Sequence, residues 1–259
     1  MNIPFYQIDA FTSRVFAGNP AGVCLLEQWL KDRIMQSIAE ENNLSETAFL
    51  VNIGRSYELR WFTPKVEVDL CGHATLASAF AIFEFVDPGA SRVSFLTKSG
   101  MLSVERQGDI LTMDFPARSP EPLKPEPDLS DILGIRPSHV LKSRDLLVVC
   151  EEEEQVRHLA PDLARIATLD CLGVIMTAKG RHCDFVSRFF APRAGVPEDP
   201  VTGSAHCTLV PYWSKRLGKK HLHALQLSAR GGELFCVDKD SRVLIGGRAV
   251  AYLSGTIKI

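Results

Sequence analysis

Three short stretches of this chain carry residue types in arrangements that permit chemistry: EDPVTGSAH (198–206), DLCGHAT (69–75) and ENNLSETAFL (41–50). The first two each run a turn of small residues into what reads as the start of an apolar helix. A helix N-terminus exposes unpaired backbone N–H groups and a partial positive charge, so it suits an anion. A carboxylate would be held there by backbone N–H groups and by Gly72, His73, Gly203 and Ser204. Taken alone, EDPVTGSAH reads more readily as a capped helix start, with Thr202 or Ser204 as N-cap and Asp199 closing the turn. It has no second glycine and no Lys-Ser/Thr, so it is not a phosphate loop. Positions 202 and 206, which a GxSxG elbow fills with glycine, hold Thr and His.

In the third stretch, Glu46 sits where a helix gives way to an apolar strand, between Ser45 and Thr47. A carboxylate in that position can serve as both acid and base. A Glu at an element junction is nevertheless more often simply solvated. Its counterpart in the second half, near ATLDCLGV (167–174), has no Glu in register. His73 reads as a core histidine or as a functional one. Cys71 reads as a small buried hydrophobe or as a thiolate activated by the helix start. Neither His73, His206 nor the cysteines show metal-ligand spacing, so no metal is expected.

These residues must be positioned by elements, and the elements repeat. RWFTPKVEV (60–68) aligns with RFFAPRAGV (188–196) at an offset of 128, and CGHATLASA (71–79) with TGSAHCTLV (202–210) at 131. The second copy therefore carries about three extra residues. Each half is rich in short β-type runs: IPFYQIDAF, AGVCLL, TAFLVNI, YELRWF, VSFLT, GMLSVERQ and ILTMDF in the first. CGHATLASAFAIFEFV is apolar on every side and so belongs inside a sheet. LKDRIMQSIAEENN is amphipathic, with Leu30, Ile34 and Ile38 on one face. In the second half Pro211 is expected to kink or shorten the corresponding helix. Five of the fifteen prolines fall in PARSPEPLKPEPD (116–128), which reads as a stiff linker between an N-terminal half, 1–116, and a C-terminal half, 117–259, whose closing strand can return to the first. The expected fold class is α+β: two pseudo-symmetric halves, each a barrel-like mixed sheet around a central apolar helix, with both helix starts facing one cleft.

Composition narrows the function classes. The chain has 259 residues, 46% hydrophobic and 23% charged, with a formal net charge of -2. That charge leaves no electrostatic footprint for nucleic acid, and KRLGKK (215–220) reads as a helix end. MNIPFYQIDAF lacks the layout of a signal peptide, and no apolar run approaches the roughly 20 residues of a membrane span. The seven cysteines are dispersed with no CxxC pair, which fits a reducing, cytoplasmic setting.

Four ordered stretches, DAFTSRVFAGNPAGV (9–23), NNLSETAF (42–49), RWFTPKVEVDLCGHATLASA (60–79) and FAPRAGVPEDPVTGSAH (190–206), together resemble the PhzF family of phenazine-biosynthesis-like isomerases. The resemblance runs through RGGEL (230–234) to the closing strand. It implies a diaminopimelate epimerase-like fold, a homodimer, a small carboxylated substrate and no organic cofactor or metal. It also implies that Glu46 moves the proton, with His73 and Asp199 as further catalytic groups. Asn19, Ser45, Gly72, Gly203 and Ser204 become substrate-binding candidates, and Cys71 a possible accessory group. The epimerase relatives use paired thiols; here Cys71 fills the first position but Asp199 stands in the second loop, which counts against a two-thiol racemase. The expected function is therefore a cofactor-independent isomerase. A racemase or epimerase of an amino or hydroxy acid, and a non-catalytic binder with a relict site, are the alternatives.

Overall fold

The computed structural model describes residues 1–123 and 129–259 and divides the chain into two compact units, Met1–Asp114 with Gly246–Ile259, and Phe115–Ile245. In the first unit β1 (Asn2–Ala10), β2 (Asn19–Leu26), α1 (Asp32–Asn42), β3 (Glu46–Asn52), β4 (Tyr57–Phe62), β5 (Glu67–Val68), α2 (Gly72–Ala81), β6 (Arg92–Thr97), β7 (Gly100–Gln107) and β8 (Ile110–Pro116) follow in order. β1 is antiparallel to β2, β2 parallel to β3, and β3 antiparallel to β4. β4 is antiparallel to β5 and parallel to β6, which starts a meander through β7 to β8.

The second unit contains β9 (Glu121–Pro122), α3 (Ser130–Leu133), β10 (His139–Lys142), β11 (Leu146–Val149), α4 (Glu153–Arg157), α5 (Leu163–Ile166), β12 (Val174–Lys179), β13 (Phe185–Ala191), β14 (Val196–Asp199), α6 (Gly203–Leu217), β15 (His221–Gln226), β16 (Gly232–Lys239) and β17 (Arg242–Gly247). Its pairings repeat the first unit's: β10 with β11 antiparallel, β11 with β12 parallel, β12 with β13 antiparallel, β13 with β14 antiparallel and with β15 parallel. The last strand, β18 (Ala249–Lys258), lies antiparallel to β1 in the first unit.

The repeat extends to side chains. Arg60 makes a two-pronged ion pair with Glu67, at 2.7 and 2.9 Å, between β4 and β5. Arg188 does the same with Glu198, at 2.6 and 2.9 Å, between β13 and β14. The arginines are 128 residues apart and the glutamates 131, so the inserted residues lie between them, where a 3-10 turn forms at Pro192–Ala194.

Residue alternation sets which side of the sheet each group faces. Cys24 and Leu26 of β2, with Phe49 and Val51 of β3, join the cluster that receives Met35, Ile38 and Ala39 of α1. Asn19, Ala21 and Val23, and Glu46, Ala48 and Leu50, have the opposite parity and face α2. That helix packs on β1, β2 and β3, with Ala74, Leu76, Ala77, Ala79 and Ala81 buried. Its buried hydroxyls are satisfied locally: Thr75 Oγ1 donates to the Cys71 carbonyl at 2.6 Å and Ser78 Oγ to the Ala74 carbonyl at 2.7 Å.

Several sequence expectations need adjustment. The amphipathic helix begins at Asp32, so Leu30 lies outside it and the buried face is Met35, Ile38 and Ala39. The apolar segment is α-helical over Gly72–Ala81, buried except for half-buried Gly72 and Phe80; Ile82–Val86 form a π-turn that buries Ile82 and Phe83 but leaves Phe85 and Val86 exposed, with Phe85 stacked on Tyr6. Pro211 does not end α6. It cannot donate to the Cys207 carbonyl, but the Arg118 backbone N–H does so instead at 2.8 Å. The stretch 116–128 is not wholly a linker, since Glu121–Pro122 pair with β10; its residues 124–128 lie outside those described. No helix among the described residues is long and apolar enough to cross a membrane.

Candidate active site

Glu46 opens β3 and His73 lies in the first turn of α2, and the parity of β3 brings them together. Glu46 Oε2 is 3.1 Å from His73 Nε2, with both side chains largely buried. The two atoms are off the line that an aligned hydrogen bond requires, and neither has another partner. Asn19, at the start of β2 and fully buried, lies on the other side of the ring, its Nδ2 3.2 Å from His73 Nδ1. The amide N–H donates, so Nδ1 accepts, and a neutral ring carries its proton on Nε2, toward Glu46. Cys71 Sγ is 3.5 Å from the same Nδ1. Ser45 is half-buried, next to Glu46 in the chain.

Asn19 owes its place to Gly18. Gly18 has φ +66, and a Cβ there would sit 2.1 Å from the Ala10 carbonyl oxygen, so only glycine fits. The same hairpin is tied by the Phe16 N–H, which donates to the buried Asp9 carboxylate at 2.9 Å.

Burial works against the imidazolium of His73, but its interactions with Cys71 and Glu46 outweigh it and raise the pKa well above 6.5. Cys71 is pushed up to about 11, first by burial and then by the charge of Glu46. At neutral pH Cys71 is thus a thiol. Among the described residues, ligand atoms of Glu46, Cys71 and His73 also converge within 4.8 Å of one another. Sequence spacing did not show this, because one ligand comes from a strand and two from a helix start.

In the second unit, Thr202 is the N-cap residue of α6, but its hydroxyl turns away and donates to Asp199 Oδ2 at 2.6 Å. Ser204 Oγ accepts from Arg144 at 3.0 Å, and that arginine is paired with the buried Asp145. Neither Thr202 nor Cys71 caps its helix through a side chain, so the first-turn N–H groups at Gly72 and at Gly203 stay available to an anion. Gln226 holds the loop: its Oε1 accepts from the Thr202 N–H at 2.9 Å and its Nε2 donates to the Asp199 carbonyl at 2.8 Å. Sequence reading passed over Gln226 and Arg144. Gln226 had a signal, since it holds the third inward position of a strand whose other inward residues are Leu222 and Ala224.

The repeat makes the asymmetry of the site measurable. Thr47 pairs with Phe62 as Val174 pairs with Phe190, so Glu46 corresponds to Gly173. A Cβ at Gly173 would lie 2.3 Å from the Phe189 ring, so the second unit has no room for a side chain there. His73 likewise corresponds to Ser204, at the offset of 131. Neither partner of the Glu46–His73 pair is repeated at the equivalent position of the second unit.

The chain matches the family of phenazine biosynthesis-like proteins (PhzC-PhzF) over residues 8–255. It is 53% identical to an uncharacterized isomerase of Pseudomonas aeruginosa over 259 residues, covering 100% of both chains. It is 41% identical to the human phenazine biosynthesis-like domain-containing protein, covering 99% of each. Among solved structures, a PhzF family protein of Enterococcus faecalis superposes with a TM-score of 0.98 at 47% identity, covering 100% of both chains. A hydroxyproline epimerase from Agrobacterium vitis shares the fold at 10% identity, with a TM-score of 0.61, covering 99% of this chain and 92% of that one. This protein belongs to the phenazine biosynthesis-like (PhzC-PhzF) family and is an isomerase with an epimerase-like α+β fold.

Proposed function

We propose that this isomerase moves a carbon-bound proton on a small carboxylated metabolite without an organic cofactor, and that Glu46 takes and returns that proton. The observation that carries the reading is the largely buried Glu46–His73 pair at 3.1 Å, placed beside an uncapped helix start. A carboxylate substrate would be bound by backbone N–H groups at Gly72, with Asn19 and Ser45 beside Glu46; in the second unit Gly203 and Ser204 are the substrate-binding candidates. Those donors also steady negative charge as it develops on the substrate when the proton leaves. His73, holding a proton toward Glu46, either donates to a substrate oxygen or relays the proton. Asp199 would hold a substrate amino or hydroxyl group. Assembly as a homodimer is part of the proposal and is checked by light scattering.

The test is to incubate a panel of small carboxylates with the protein in D2O and follow deuterium at carbon by NMR. Incorporation accompanied by movement of a double bond is the expected result. A panel without any incorporation would remove the proton-transfer reading. One observation favours a racemase or epimerase instead: Cys71 Sγ lies 3.5 Å from the His73 ring, in reach of the same chemistry. Against it, a thiol pushed up to about 11 is a poor base at neutral pH. Deuterium incorporation with inversion at one carbon, and no double-bond movement, would select that reading.

A further inference from the structure

The geometry points to a second property of this cluster: Glu46, Cys71 and His73 form an inhibitory binding site for a borderline-soft divalent cation, zinc above all. Their ligand atoms lie within 4.8 Å of one another. On a tetrahedral zinc, with bonds of about 2.0–2.3 Å, ligand atoms sit roughly 3.3–3.8 Å apart, so side-chain shifts of about an ångström close the site. His73 is only 6% exposed, and its Nε2 and Glu46 Oε2 are buried without an aligned partner. Two unsatisfied buried atoms aimed at one point are costly unless something occupies that point.

The donor set selects the ion. Thiolate and imidazole favour zinc or cobalt, whereas magnesium and calcium need oxygen ligands. On binding, the Sγ–H bond of Cys71 breaks and its proton leaves to solvent, the proton on His73 Nε2 is released and the ring keeps one on Nδ1, and sulfur and Nε2 each donate an electron pair to the metal. One thiolate, one carboxylate and a neutral ring then balance a doubly charged ion, so the buried complex carries no net charge. With the ring proton on Nδ1, the Asn19 amide turned to present Oδ1 would accept from Nδ1–H and leave Nε2 as the ring ligand, the arrangement that orients metal-binding histidines elsewhere. Three protein ligands leave a fourth position open.

An ion held this way takes the carboxylate and the imidazole out of use, so binding blocks proton transfer. That the ion inhibits rests on the proposed role of Glu46; that it binds does not. The experiment is a titration of the intact protein with cobalt(II), read by absorption, and then displacement by zinc(II). The expected result is one cobalt per chain with thiolate-to-cobalt charge-transfer absorption, lost in Cys71→Ser. Glu46→Gln should keep the absorption while weakening binding at least about tenfold, and Asn19→Ala should weaken it about 10–100-fold. Circular dichroism checks that each variant is folded. Zinc should also suppress deuterium exchange by the wild type, and a chelator should restore it. Absence of stoichiometric cobalt binding, or charge-transfer absorption that persists in folded Cys71→Ser, would overturn the site. Zinc binding with unaltered exchange would overturn the inhibition. A protein that exchanges no carbon-bound proton counts against the Glu46 reading alone, because the cobalt titration decides the site without it.

Discussion

At the scale of single residues, two buried histidines give the protein opposite responses to pH. His73 has a pKa raised by its interactions with Cys71 and Glu46, so its stabilising contribution is complete below about pH 6.5 and is lost as pH rises through its folded value. His206 is buried beside Phe185, its Nδ1–H donating to the Thr202 carbonyl at 2.8 Å, and burial lowers its pKa to about 4. The stability it confers is present above about pH 6.5 and falls away as pH drops toward 4, by roughly 3 kcal/mol across the interval. Denaturant unfolding from pH 4 to 8.5 checks both signs. In His73→Asn the decline above pH 6.5 flattens, and in His206→Gln the decline below pH 6.5 flattens. The range stops short of the pH at which Cys71, pushed up to about 11 by burial, adds its own effect. Glu46 was legible as a candidate because a carboxylate stood at the mouth of an apolar strand. His73 was a candidate as well, but its pairing with Glu46 was not legible, since nothing in the local sequence of DLCGHAT says that the strand's parity points Glu46 at that helix.

At the scale of elements, the site depends on two supports outside the reacting groups. Gly18→Ala places a Cβ against the Ala10 carbonyl and forces a positive φ on alanine, at a cost of about 1–3 kcal/mol or more. It also shifts Asn19, so activity should fall further than stability alone explains; urea unfolding and exchange rates measured on the same samples separate the two. Gln226→Leu strands the Thr202 N–H in a buried setting and should cost about 1–3 kcal/mol, read by urea unfolding, with the loop at Asp199 becoming more open to hydrogen exchange. Strand runs and the buried helix were readable because alternation and all-round hydrophobicity are local patterns. The passage of α6 through Pro211 was not, because the donor that replaces the missing N–H belongs to Arg118, far away in sequence.

At the scale of the whole molecule, the duplication was readable in the chain, and the repeated strand pairings and the paired Arg60–Glu67 and Arg188–Glu198 bridges give it a physical form. The return of the closing strand to the first unit was also anticipated; what the sequence does not show is the register in which it pairs. β18 pairs with β1 from Asn2 to Ala10, a long ladder that no nearby segment can replace. Removing residues 249–259 should therefore destabilise the first unit selectively. Hydrogen exchange followed by mass spectrometry would show protection lost along β1 and β2 while β12 and β13 stay protected; uniform retention of protection would contradict this.

The central claim is that one carboxylate moves the proton, and it is tested most directly by comparing wild type with Glu46→Gln in D2O. With any carboxylate that the wild type labels at carbon, the variant should label about 10²–10⁴-fold more slowly while keeping its fold by circular dichroism. Labelling by a folded Glu46→Gln protein at the wild-type rate would contradict it.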